Sequence, residues 1–105
     1  IFRTTTDSEV NYELIAQTLQ SALSDPAPLV REAALKSVLE LDRKALAGEA
    51  RTLLLDSSPS VRLKAIEAVV QFQDVVSIKF LETLRRDSNY LVSRAAERAL
   101  VLINP

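Results

Sequence analysis

The sequence predicts an all-α fold, an αα-superhelix (solenoid) of three helical hairpins built from about six helices. Three observations lead there. Shifted by 31 residues, Asp25-Pro26-Ala27-Pro28-Leu29-Val30-Arg31 falls on Asp56-Ser57-Ser58-Pro59-Ser60-Val61-Arg62, then on Asp87-Ser88-Asn89-Tyr90-Leu91-Val92-Ser93. Behind each of these turns, apolar or small residues recur at helical spacing. Finally, 48% of the 105 residues are hydrophobic but only five are aromatic, and a single Gly leaves little material for β-hairpins. A core of Ala, Leu, Val and Ile suits closely packed helices. A period of this length marks stacked units, none able to bury its apolar face alone.

The chain opens with a lead, residues 1–11, rich in Thr and expected to be partly disordered. Asp7 or Ser8 is a candidate N-cap for the helix that follows. The first helices of the three units are expected at Tyr12–Ser24, Arg43–Leu55 and Asp74–Arg86, within one repeat domain, 12–104, of units 12–42, 43–73 and 74–104. Their register repeats: Leu19, Ala22 and Leu23 align with Ala50, Leu53 and Leu54, then with Leu81, Leu84 and Arg85. Gly48 falls inside the second of them, costs about 1 kcal/mol relative to Ala, and is read as a point of close packing. Each first helix ends near the shared Asp, and Ser, Asn and Pro make the turn. Pro28 and Pro59 then open the second helices, where an absent N–H has no intrahelical partner to lose; Tyr90 holds that place in the third unit.

Counted from the shared Asp, each second helix carries apolar or small residues at offsets 5, 9, 12, 13 and 16. These are Val30, Ala34, Ser37, Val38 and Leu41; then Val61, Ala65, Ala68, Val69 and Phe72; then Val92, Ala96, Ala99, Leu100 and Ile103. This is the stripe of a helix with one buried face. The small residues in its middle imply close helix approach. Offset 10 reads Leu35, Ile66 and then Glu97. A charge there reads as a cap on the last unit and predicts an exposed Glu97, while Val101 stays apolar, which suits an array that continues or a partner that docks there.

Composition excludes whole classes of chemistry. Without Cys or His there is no disulfide framework, thiolate nucleophile, Cys/His zinc site or His-based catalysis. One Gly cannot supply a phosphate-cradling loop. Glu32, Glu67 and Glu97 are carboxylates on solvent-facing helix positions, where nothing tunes them for acid–base work. No cofactor, metal or catalytic residue is expected, and the chain is read as non-enzymatic. No apolar run approaches the ~20 residues that cross a bilayer; no membrane insertion is expected, and a cytoplasmic setting is. With no Met, the chain reads as a fragment of something longer. Net charge is −1, spread as −1 over residues 1–11 and −3, +2 and +1 over the three units, too shallow a gradient to require a polyanion partner.

The text Leu55-Asp56-Ser57-Ser58-Pro59-Ser60-Val61-Arg62, set between a leucine-rich and an alanine-rich helix, resembles HEAT-like repeats of the short type found in bacterial and phycobilisome-lyase-type proteins. The resemblance covers residues 12–104. The Trp/Gly/Tyr marks of tetratricopeptide repeats and the Thr-Pro-Leu-His text of ankyrin repeats are missing. It implies a short right-handed superhelix and a structural ladder along the turns, formed by Asp25, Arg31, Asp56, Arg62 and Asp87, weakening where Ser93 replaces the Arg. The iron-binding HEAT-like hydroxylases need His, and the HEAT-like DNA glycosylases use aromatics beside a basic face; neither pattern is present.

The implied function is protein–protein interaction, scaffolding or regulation. The binding surface expected from it is the concave face of the second helices, at offsets 7 and 11: Glu32, Leu63 and Arg94 in one row, Lys36, Glu67 and Arg98 in the next. Leu63 would anchor a partner protein or peptide. The bland alternative is a solvated face whose charges pair between units, each pair worth little. Other readings are an accessory repeat domain of a larger enzyme or transporter, such as a lyase-type subunit, and, less favoured, nucleic-acid binding through Lys79, Arg85, Arg86, Arg94 and Arg98 of the last unit.

Overall fold

Local chemistry sets the helix starts in the computed structural model, which describes the backbone of residues 2–103 and the side chains of residues 11–103. The described helices are α1 (Phe2–Ala22), α2 (Pro28–Glu40), α3 (Ala47–Thr52), α4 (Pro59–Gln71), α5 (Ile78–Leu84) and α6 (Tyr90–Leu102). Pro28 and Pro59 occupy the first turns of α2 and α4, as their fixed φ favours. Tyr90 opens α6 behind Asn89, whose side chain accepts from the N–H groups of Leu91 and Val92 at 3.0 and 3.2 Å. A side-chain cap thus does in the third unit what proline does in the other two.

The first helices depart from expectation in length. α1 begins at Phe2 rather than Tyr12, since no Pro or Gly in that stretch stops a helix. It runs through Asp7 and Ser8, whose side chains lie outside the described ones. α3 and α5 are shorter than expected: 3₁₀ turns at Lys44–Leu46 and Leu53–Leu55 flank α3, and one at Val75–Ser77 precedes α5. Gly48 is not a close-packing point. A Cβ built there meets nothing within 4 Å.

The second helices end alike. Asp42 and Gln73 take positive φ, 52° and 51°. Arg43 N–H then reaches back to Val38 O and Asp74 N–H to Val69 O, both at 2.9 Å, while Asp42 and Gln73 N–H bond Leu39 O and Val70 O. These paired bonds are Schellman closures, and they turn the chain from one unit to the next.

Packing follows the repeat. α1 pairs with α2, α3 with α4 and α5 with α6 inside units, while α2 packs on α4 and α4 on α6 between them. The second helices therefore form one continuous layer, and Leu35, Val38, Val61, Val69 and Val92 are sealed within it. Each such side chain is worth roughly 1.5–3 kcal/mol of burial. The molecule measures 54 × 32 × 16 Å. Its radius of gyration, 15.0 Å, exceeds the about 13 Å of a compact chain this long.

Burial is unequal along equivalent positions. The whole expected stripe is buried in the second unit, and Val92, Ala96, Ala99 and Ile103 are buried in the third. In the first unit Val30 and Leu41 are exposed, contrary to the stripe's prediction. Tyr12 and Ile15 are likewise exposed, whereas their counterparts Arg43, Leu46 and Ser77 are buried. Glu97 is exposed, as expected from its charge.

Candidate functional site

The turns carry a polar ladder whose parts are local before they are shared. Asp25, Asp56 and Asp87 each accept the N–H two residues on, from Ala27, Ser58 and Asn89, at 2.8, 2.9 and 2.9 Å. These Asx turns shape the entry to each second helix. Arg31 then reaches forward to the next unit, Nε to Asp56 Oδ1 at 2.8 Å and Nη2 to Oδ2 at 2.9 Å. Its Nη1 donates back to the carbonyls of Asp25 and Pro26 at 2.8 and 3.0 Å. Arg62 repeats this: Nη2 donates to Asp87 Oδ1 at 3.0 Å, Nε lies 2.9 Å from Oδ2, and Nη1 donates to Asp56 O and Ser57 O at 2.8 and 3.2 Å.

One guanidinium fork thus closes its own turn and fastens the following one, a geometry that the point charge of Lys cannot reproduce. The resemblance implies a ladder of each Asp and the Arg six residues later along the turns. In the structure that contact runs through the Asp backbone carbonyl, and the carboxylate is taken by the Arg of the unit before. Where Ser93 replaces the third Arg, its Oγ donates to Arg85 O at 2.8 Å.

Electrostatics follow from this geometry. Burial pushes the Asp56 carboxyl up, but the Arg31 hydrogen bonds, the Ser58 N–H and the charges of Arg31 and Arg62 together hold it below the usual carboxylate range. The hydrogen bond to Asp56 raises Arg31. A second fork was not foreseen from the sequence: Arg51 holds Asp74 at 2.7 and 2.8 Å, and the Ser77 hydroxyl donates to the same carboxylate at 2.5 Å. Arg51 lowers Asp74, against desolvation and with help from Ser77. Nearby, the guanidinium of Arg43 stacks 3.7 Å from the Tyr12 ring centre. These contacts hold units together and present nothing reactive.

A surface suited to a ligand lies elsewhere. An open groove of about 760 Å³ is lined by Leu63, Tyr90, Leu91, Arg94, Arg98 and Val101, among others. Leu63 is half-buried and packs against the core; Tyr90, Leu91 and Val101 are exposed. Arg94 is held in place, its Nη1 donating to Tyr90 Oη at 2.9 Å and its Nε lying 3.3 Å from Glu97 Oε1.

Of the six residues expected on the concave face, the groove gathers Leu63, Arg94 and Arg98. Glu32, Lys36 and Glu67 do not line it. Glu67 pairs with Lys64 of its own helix at 3.2 Å, not across units. Val101, which the sequence marked as apolar and suited to a continuing array or a docking partner, lines the groove; Leu91 escaped the sequence reading, although it sits three residues before Arg94, the spacing of helix neighbours. In the basic last unit, Glu82 and Glu97 pair with Arg85 and Arg94, which breaks up the cationic stripe that a nucleic acid would need.

Stacked helical hairpins with a ladder between their turns define an αα-solenoid, with an open groove on its layer of second helices. The sequence model of HEAT repeats matches residues 15–101, and the chain belongs to the HEAT-repeat family. Such repeats generally mediate protein–protein interaction and are typically non-catalytic. No curated protein matches the chain at a significant level. Among the described residues no helix is long and apolar enough to cross a membrane.

Proposed function

We propose that the chain is a non-catalytic scaffold or regulatory module of units 12–42, 43–73 and 74–104 that binds a partner protein through the groove of α6. The observation that carries this reading is the convergence of Leu63, Arg94 and Arg98 on one open groove with exposed Leu91 and Val101. Leu63 offers an apolar anchor on a rigid floor, and the arginines offer charge-assisted hydrogen bonds at its rim. A helix or extended segment with an apolar side chain beside a carboxylate meets both requirements. Glu32, Lys36 and Glu67 extend the surface toward the first unit as a polar margin.

The test compares proteins retained from the source cell by the wild-type chain and by Leu63→Ala/Arg94→Ala/Arg98→Ala, with folding of both checked by circular dichroism. The proposal expects a specific partner, retained by the wild type, to bind the variant at least ~10-fold less well. An identical set of partners at equal affinity overturns it.

A further inference from the structure

We infer that a second groove, on the layer of first helices between the second and third units, docks an acidic peptide segment of a partner protein. The segment places an apolar side chain in the groove and a carboxylate on Lys79. This surface is separate from the groove of α6 and does not rest on that reading.

The groove measures about 270 Å³, with Gly48, Arg51 and Leu55 on one side and Val76, Lys79 and Phe80 on the other. Pockets for whole small-molecule ligands run to about 300–1,000 Å³; this one suits a single large side chain. Phe80 is half-buried against the core, while Leu55 and Val76 are exposed. Their apolar surface continues past the cleft, where a chain segment crossing it makes contact and a small free acid does not.

The groove breaks the repeat. Shifted by 31 residues, its six positions fall at the first junction on Gln17, Gln20 and Ser24, then Ala45, Gly48 and Glu49. There Gln20 Nε2 donates to Glu49 Oε2 across the units at 2.8 Å. The counterparts Arg51 and Phe80 cannot repeat that bond. Arg51 is turned to Asp74 instead, and a groove with apolar walls opens where the first junction has its polar bridge. Stacking alone does not call for it, because the first junction stacks without one.

Gly48 points the same way. Its counterparts Gln17 and Lys79 carry long side chains. It takes no positive φ, and a Cβ built on it meets nothing within 4 Å. Neither backbone nor packing requires a glycine here, yet it costs about 1 kcal/mol of helix propensity. What its bareness does is leave the groove open.

Charge selects the occupant. Asp74 neutralises Arg51, and the carboxylates of Glu49 and Glu82 are engaged by Gln20 and Arg85. Thr52 Oγ1 donates to Glu49 O at 2.7 Å. Lys79 makes no ion pair among the described residues, and its ammonium lies 5.5 Å from the Phe80 ring centre. An uncompensated cation beside an apolar cleft is complementary to an apolar side chain next to a carboxylate.

The test starts from displayed random peptides, depleted on Gly48→Gln and then selected on wild type. Gly48→Gln gives the second unit the side chain of the first and fills the groove; Lys79→Glu reverses its charge. Both positions are exposed, so the fold is retained, as circular dichroism would verify. Enriched peptides are expected to carry Asp or Glu beside a large apolar residue. Measured as capped synthetic peptides by fluorescence anisotropy, they should bind Gly48→Gln and Lys79→Glu at least ~10-fold less well than wild type. Lys79→Arg and the Leu63→Ala/Arg94→Ala/Arg98→Ala variant should bind them as wild type does. The inference is overturned if no peptide is enriched, if the enriched peptides lack acidic residues, or if Lys79→Glu binds them equally well. It is also overturned if sedimentation velocity shows a wild-type dimer that Gly48→Gln dissolves, since the occupant is then a second copy.

Discussion

In the second unit Val61 and Phe72 are buried, whereas in the first Val30 and Leu41, at the same offsets from the turn, lie exposed. The helices that bear Val30 and Val61 and are capped by Leu41 and Phe72, α2 and α4, have equal length and the same proline start. The difference arises from what stands in front of each. A solenoid unit owns only part of its core, and the unit before it supplies the rest. The polar ladder divides along the same line, since Asp56 is clasped by Arg31 of the preceding unit and Asp25 by nothing equivalent among the described residues.

The largest expected effect separates the two units most sharply. Phe72→Ala should destabilise by about 3–5 kcal/mol, as aromatic truncations in packed cores do. Leu41→Ala, at the matching position, should cost less than about 1 kcal/mol, because little burial is lost. Urea denaturation of both variants checks this; equal losses would erase the distinction between closed and open units.

Next comes the ladder. Asp56→Ala removes a turn acceptor and leaves Arg31 unpaired, and should cost about 2 kcal/mol. Asp25→Ala removes the turn acceptor alone and should cost about 1 kcal/mol or less. The same contrast has a pH signature. Asp56 and Asp74 lie below the usual carboxylate range in the folded chain. Their stabilisation is therefore complete above the unfolded pKa, about 3.9, and is lost as pH falls through their lowered folded values. The melting temperature should drop on acidification below about pH 4, and less so in Asp56→Asn/Asp74→Asn.

The smallest effect concerns a position outside both interfaces. Gly48→Ala has free space for its methyl group and sits within α3. It should stabilise by about 0.5–1 kcal/mol, read as a small rise in melting temperature. A fall would mean that the glycine has a packing duty after all.

Much of this fold was legible in the residues because its repeat is written in side chains with local consequences. Pro28 and Pro59 set helix starts, Asp25, Asp56 and Asp87 shape turns, and the alanine-rich stripe marks the face of α4 that packs. Three things were not legible, each for a physical reason. Periodicity tells which face of a helix is apolar, not whether a neighbour covers it, so Val30 and Leu41 looked like Val61 and Phe72. The resemblance implied a ladder of Asp and Arg along the turns but not that Arg31 takes Asp56 of the next unit, because contact across 25 residues requires the stacking geometry. Gly48 looked like a packing point, since a glycine's smallness is visible in sequence but the empty space beside it is not. For the groove, Leu63, Arg94 and Arg98 were found at offsets 7 and 11 of the second helices and Val101 as an apolar residue near the chain's last turn, while Leu91 was overlooked because an exposed apolar residue in an alanine-rich helix reads as core.

Native-state hydrogen exchange on the wild-type chain tests the central claim, that a unit is closed by the one before it. The two 13-residue helices, α2 and α4, serve as internal references for each other. If closure comes from the preceding unit, the mid-helix amides of α4 exchange only through near-global unfolding, and those of α2 through opening of lower free energy. Equal protection in α2 and α4, or greater protection in α2, would contradict the account.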